Sequence, residues 1–457
     1  MSHDCNHCAE FSRSHLLRRA VAEAGNGLPA IEPGQPLPAG TGLSRRSFLL
    51  RSSATMLSVY GASKLGLRGL EEGIAQAAGG SDPVLVSVFM DGGADSLSLL
   101  APTTDSTYRT LRPTLALDAA AGTPFTEDPR LRWHPSAAGF DSLHRAGKLS
   151  LLPAVAYDSP NQSHFTSRHY WEVGALAPNE TTGWMGRLLD VIGTPDNPLQ
   201  GLSLDGQLSP ALASRSVPIA AISGTGYDIW QEGVWGEVED LMYKSVAKIA
   251  GRAMRSKDRG LALAGTAAEQ SMRVKKQLAP FNDQPIAAPV TYPGKQAFPT
   301  ALSAIAGMVA GGLPLQCVAV DAPGGYDTHD SQATRFSNNV KLTADSLAAF
   351  QADLEARGIA DRVITLVWSE FGRRPQENGS AGTDHGAAGT AMVIGSRVRG
   401  QMVGEWPGLA QLDANKNIRS TSDFRGLYSS IIEQWFGVDA NAVIPGAGNF
   451  ARPALIR

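Results

Sequence analysis

Val84-Leu85-Val86-Ser87-Val88-Phe89-Met90, followed at once by Asp91-Gly92-Gly93-Ala94-Asp95, decides how this chain is read. A continuous apolar run of that length ending in glycine predicts a parallel strand buried on both faces. The pattern recurs. Gln316-Cys317-Val318-Ala319-Val320 precedes Gly324-Gly325-Tyr326-Asp327-Thr328-His329-Asp330, and Val363-Ile364-Thr365-Leu366-Val367-Trp368 precedes Ser369-Glu370-Phe371-Gly372-Arg373. Gly382-Thr383-Asp384-His385-Gly386 closes the series just before the apolar run from Thr390 to Ile394. Open α/β sheets bind ligands outside the carboxyl ends of their strands. Carboxylates and imidazoles gathered on that rim point to a divalent-metal site.

Outward from these runs, the remaining elements fall into place. Ala101 to Pro135 is polar and proline-rich, which predicts a long excursion over the surface. Ser136 to Gly147 reads as a helix, Leu149 to Val155 as a second strand and Val217 to Ile222 as a third. Asn161-Gln162-Ser163-His164-Phe165 opens an amphipathic helix through Trp171, so Ser163 stands at a helix N-terminus, where backbone N–H groups favour an anion. Residues from about 228 to 281 are helix-like and charged, and are read as a helical insertion with a solvated face. A helix from Ser337 to Arg357 then separates two strands. The alternation argues for a mostly parallel sheet covered by helices.

The chain has 457 residues, 43% hydrophobic and 18% charged, enough for a sizeable core. Ser44-Arg45-Arg46-Ser47-Phe48-Leu49 has the form of a twin-arginine export motif. A moderately apolar stretch from Ala54 to Leu67 follows, and Ala75-Gln76-Ala77 has the small-x-small form of a cleavage site. Residues 1–77 are therefore expected to be a leader and residues 78–457 the mature domain, periplasmic, cell-surface or extracellular. Losing that leader would move the net charge from −3 to −5. An acidic chain is a poor candidate for sequence-independent nucleic-acid binding, and no segment predicts an integral membrane helix in the mature chain. Cys5 and Cys8 form a CxxC inside the leader, and Cys317, within an apolar run, reads as a small buried hydrophobe.

The stretches Phe89 to Ser96, Ser163-His164-Phe165, Gly183-Trp184-Met185-Gly186-Arg187, Gly325 to His329, Ser369 to Arg373 with Asn378, and Gly382 to Gly386 together resemble the bacterial family known as domain of unknown function 1501. That family is grouped with the alkaline-phosphatase-like superfamily of sulfatases and phosphoesterases. The resemblance implies a three-layer α/β fold with a mostly parallel central sheet, and places the site on the strand rim. It also implies Asp91 as a first-strand metal ligand, Ser163 as the nucleophile, and Asp327 and His329 as a later ligand pair.

Two registers stay open for the last ligands. Asp384-His385-Gly386 matches an Asp-His-Gly pair, but no histidine follows His385. Alternatively Ser369-Glu370-Phe371-Gly372 fills that place, with Phe371 where a histidine would stand and His385 as the final histidine. The second keeps strand, ligand pair, loop, histidine and strand in order.

The expectation is an exported, metal-dependent hydrolase of phosphate or sulfate esters. One or two ions of zinc, manganese or calcium would be held by ligands drawn from Asp91, Asp327, His329, Glu370, Asp384 and His385. Ser163 or a bound water would attack, His164 would orient it or bind metal, and Arg373 would clamp an anionic oxygen. Against this stand plainer readings: Ser163 as an N-cap only, Arg373 paired with Glu377 or Asp384 for the fold, and Asp95 and Asp330 as turn caps. The competing class is a secreted binding or assembly protein without turnover on the same fold.

Overall fold

The structure, a computed structural model, describes residues 82–204, 206–222, 236–283 and 287–457 and the backbone of Val59–Tyr60. The arginine pair at 45–46, the cleavage site at 75–77 and the CxxC of Cys5 and Cys8 lie outside the described residues.

Among the described residues, nine strands make the central sheet: β1 (Val59–Tyr60), β2 (Val84–Phe89), β3 (Leu149–Ala156), β4 (Gly201–Ser203), β5 (Ile219–Ala221), β6 (Cys317–Asp321), β7 (Val363–Trp368), β8 (Gly389–Ile394) and β9 (Ser422–Asp423). Their order is β1-β5-β4-β6-β2-β7-β8-β3-β9. β6, β2 and β7 are parallel neighbours, and β8 runs against both β7 and β3. The three apolar runs read from sequence as central strands therefore sit side by side. The three-residue β4 was not anticipated, because Gly201-Leu202-Ser203 is too short and too small in its side chains to show a period.

Helices cover both faces. Alternate residues explain it: Val84, Val86 and Val88 pack with Phe140 of α1 (Ala138–Arg145), while Leu85 and Phe89 pack with Trp171 of α2 (His164–Val173) and Leu188 of α3 (Trp184–Ile192). Two long helices, α4 (Glu237–Ala253) and α5 (Arg259–Asp283), follow β5. α6 (Ala297–Ala310) and α7 (Gln332–Ala356) join α1's side through Leu302, Ile305, Phe336 and Val340. α8 (Phe424–Phe436) joins α2 and α3 on the other. The chain is a three-layer α/β fold with a mostly parallel sheet.

The reading of residues 101–135 as a surface excursion needs correction. Tyr108, Arg112, Phe125, Leu131 and Trp133 are all buried, and Arg132–Trp133 pairs with Leu100–Ala101 and Thr123–Pro124 in a small sheet of its own. Prolines and charges masked a segment that anchors itself every few residues with an aromatic. Likewise α7 begins at Gln332, five residues before the expected Ser337, because Gln332 is itself buried and bonds Asp95. Cys317 is buried and free, as read, with its thiol pushed up by burial.

Candidate metal centre

The carboxyl ends of β6, β2 and β7 meet at one point, and backbone bonds tie their loops together there. Tyr326 N–H donates to Asp91 O (2.7 Å) and Met90 N–H to Trp368 O (2.8 Å). Gly92 and Gly93 follow with positive φ, 109° and 73°. A Cβ on Gly92 would run into the backbone of Asp327, and one on Gly93 into the ring of Phe371. The Asp-Gly-Gly sequence is thus what lets three loops close on one another.

Beyond β7 the chain turns into a hairpin, Arg373–Glu377 against Thr383–His385, in which Arg373 pairs with His385. From the other layer α2 brings His164 in on its first residue. The helix is fixed by Trp171, which stacks on Trp368 (5.5 Å, 7°) and on Phe424 (4.7 Å, 19°). Arg168, one turn on from His164, lies over the Phe89 ring.

One ligand atom each from His164, Asp327 and His385 lies within 4.8 Å of the others. His164 Nε2 is 3.5 Å from Asp327 Oδ2, and His385 Nε2 is 3.4 Å from Asp327 Oδ1. His329 adjoins, with Nε2 3.1 Å from Asp327 Oδ1 and 3.0 Å from His385 Nε2. Each imidazole is held from behind at Nδ1: His164 by Glu370 Oε1 (2.7 Å), His385 by the carbonyl of Gln162 (2.7 Å), and His329 by Asp384 Oδ1 (3.1 Å). A carboxylate or carbonyl on Nδ1 fixes the tautomer that presents Nε2 as the ligand atom. All three Nε2 atoms point toward Asp327. Tetrahedral zinc with ligand bonds of about 2.1 Å sets ligand atoms about 3.4 Å apart, close to the 3.5 and 3.4 Å from Asp327 to His164 and His385, so the donor set fits a metal ion.

Charge within the cluster follows from these contacts. Burial would raise the Asp327 carboxyl, but hydrogen bonds from His164, His329 and His385 and the charge of Arg373 outweigh it and hold the group far below the usual carboxylate range. His164, although buried, is raised to about 9 by Asp327 and Glu370. His385 is lowered to about 4, by burial first and then by the nearby charge of Arg373.

Other expected residues take different places. Glu370 is wholly buried, and its oxygens accept the N–H groups of Gly92 (3.0 Å) and Gly93 (3.0 Å) as well as His164. It backs His164 and knots two loops, where the sequence reading had it on the ion. Asp384 likewise stands behind His329, bonded also to Asn378. Asp91 lies outside the His164–Asp327–His385 group, 3.8 Å from Arg168, and burial raises it to about 7.

Arg373 cannot serve as the expected clamp. Its buried guanidinium donates to the carbonyls of Gly93 (2.8 Å), Thr383 (2.7 Å) and Gly92 and to Asp327 Oδ1 (2.5 Å). Those donors are committed to the fold, and its carboxylate partner is Asp327 where Glu377 or Asp384 had been the plain alternatives. Phe371 packs beside both His164 (4.9 Å) and His385 (4.8 Å), a wall where the resemblance implied a histidine. Ser163 caps α2 by backbone geometry alone, with no side-chain bond to its helix.

The sequence reading passed over Gln162 and Arg168. Gln162 acts through its carbonyl, which no side-chain pattern reveals. Arg168 lies four residues from His164, a spacing that puts both on one helix face.

The family model described as a protein of unknown function (DUF1501) matches residues 152–447, and the chain belongs to that family. No curated protein matches it in sequence. Similar solved structures include the PsFucS1 sulfatase from Pseudoalteromonas sp., at 12% identity over 93% of this chain and 81% of that one, TM-score 0.35. A second is the C-terminal periplasmic domain of EcEptC from Escherichia coli in complex with Zn, at 9% identity over 80% of this chain and 87% of that one, TM-score 0.34. A third, a protein in the alkaline phosphatase superfamily from Vibrio parahaemolyticus, has 7% identity over 94% of this chain and 75% of that one, TM-score 0.32.

Proposed function

We propose that this member of the DUF1501 family is an exported, zinc-dependent hydrolase of phosphate or sulfate esters. One observation carries the metal: three histidines held at Nδ1 turn Nε2 toward a single carboxylate. Imidazole nitrogens with one carboxylate favour zinc over calcium, which takes six to eight oxygens. His164, Asp327 and His385 would hold one ion and leave a position open. The bound ion would supply Lewis acidity toward an ester oxygen and toward a hydroxyl or water.

The chain's own groups do the rest. Ser163 Oγ, at the N-terminus of α2 and next in sequence to His164, would attack or orient an attacking water. His329, fixed by Asp384, would take or give a proton at Nε2. Arg373 supplies a fixed positive charge beside Asp327 and holds the hairpin in register.

The test is turnover of aryl phosphates and aryl sulfates by the zinc-loaded chain. The reading expects hydrolysis that falls to background in Ser163→Ala and in His385→Ala. The short Arg373–Asp327 pair favours the second reading, a binding protein without turnover, since a cation already neutralises the ligand carboxylate. Stoichiometric zinc with no hydrolysis of either ester class would select it.

Zinc affinity should depend on pH with a defined sign. In the metal-free chain His164 is protonated up to about pH 9, so zinc must displace that proton. His385, lowered to about 4, is already neutral at pH 6 and contributes nothing to the slope. Apparent affinity should rise about tenfold per pH unit from pH 6 toward pH 9, then level off. Competition against a chromophoric chelator measures it, and a flat profile would contradict the assigned ligand.

A further inference from the structure

We propose that α4 is a peripheral docking surface for an anionic lipid bilayer. The four most exposed large apolar side chains among the described residues are Ile249 at 64%, Val238 and Leu241 at 61% and Leu261 at 51%. Three of them belong to α4. Val238, Leu241 and Ile249 are three and eleven residues apart, close to one and three helical turns, so they form one stripe.

The opposite side of α4 is fixed to the protein. Ala250 and Ala253 are buried, and a Cβ on Gly265 of α5 would meet the backbone of Ala250 and Met254 and the side chain of Ala253. Small residues let the two helices approach closely and hold the apolar stripe outward.

Charge identifies the occupant. Between Leu241 and Lys257 there are five basic residues, Lys244, Lys248, Arg252, Arg255 and Lys257, and no acidic one. All five are exposed. The acids Glu237, Glu239 and Asp240 are confined to the first turn, where they complement the helix dipole, and Asp258 follows the run. A chain with net charge −3 thus carries a local basic surface around an outward apolar stripe.

That combination suits a helix lying in a lipid interface, with the apolar side chains entering the headgroup boundary and lysines and arginines meeting anionic headgroups. A protein interface is instead depleted of charge, and of lysine above all, at its core, whereas here Lys244, Lys248 and Arg252 lie among the apolar residues. The reading is independent of the metal centre.

The experiment is co-sedimentation of the full chain with vesicles of pure phosphatidylcholine, or of three parts phosphatidylcholine to one of phosphatidylglycerol. Wild type is compared with Lys248→Glu/Arg252→Glu and with Leu241→Asp/Ile249→Asp. All three proteins share residues 1–81, so differences report α4 alone, and circular dichroism confirms their fold. Wild type is expected to bind the anionic vesicles preferentially and to release in high salt. Charge reversal should weaken binding at least about 25-fold, from about fivefold for each cation removed, and the aspartate pair should weaken it as well. Binding that is absent, or equal on both vesicles, or unchanged in the variants would overturn the proposal. So would a self-associating wild type that Leu241→Asp/Ile249→Asp renders monomeric without any change in vesicle binding, since the stripe would then be a contact between copies of the chain.

Discussion

Asp327→Asn is expected to bind zinc more than about 100-fold more weakly than wild type, beyond the range usual for losing an outer-shell partner. The carboxylate is the point on which His164, His329 and His385 converge, and it also takes the Arg373 guanidinium at 2.5 Å. An asparagine keeps the shape and removes the charge. Asp384→Asn is the companion variant, because Asp384 touches only His329 of the three imidazoles and is half exposed. It should leave zinc affinity close to wild type, because His329 is the proton-transfer group and not one of the three ligands. Chelator competition ranks the two, and a folded Asp327→Asn chain with wild-type affinity would contradict the ligand set.

Arg112→Met is expected to destabilise the chain by about 3–5 kcal/mol, the cost of leaving one half of a buried ion pair alone. Arg112 and Asp95 are fully buried, joined at 2.5 and 2.9 Å, and Arg112 also donates to the carbonyls of Pro375 (2.8 Å) and Arg374 (3.0 Å). Gln332 closes the network with a 2.6 Å bond to Asp95, and its carbonyl oxygen accepts from Thr328 and Thr383. The loops bearing Asp327 and His385 therefore rest on this pair. Urea unfolding measures the loss.

The pair also has a pH signature. Burial would raise the Asp95 carboxyl, but the charge and hydrogen bond of Arg112 outweigh it and hold it below its usual value. Its contribution is present above the unfolded carboxylate pKa of about 3.9 and is lost as pH falls through the lower folded value. Arg112→Met should remove that part of the acid unfolding, and an unchanged acid midpoint would contradict the role given to the pair.

The strand rim was legible in the sequence because its signal is local. An apolar run followed by Asp-Gly-Gly or Gly-Gly-Tyr-Asp carries both the strand and the turn that exposes the carboxylate. Roles set by distant partners were not legible. Glu370 looks like a ligand until Gly92 and Gly93, 278 and 277 residues away, are found to enclose it. Arg373 looks like an anion clamp until four backbone and side-chain acceptors are found around it. Asp95 was open to reading as a turn cap, which it is for Leu97 N–H, yet its larger role depends on Arg112 inside a segment whose prolines suggested a surface loop.

The zinc X-ray absorption spectrum of the full chain loaded with one equivalent of zinc tests the central claim most directly. The account predicts a four-coordinate nitrogen and oxygen shell at about 2.0–2.1 Å. It also predicts imidazole scattering that drops by one ring in His385→Ala. A chain that retains no zinc, or an all-oxygen shell identical in wild type and His385→Ala, would contradict it.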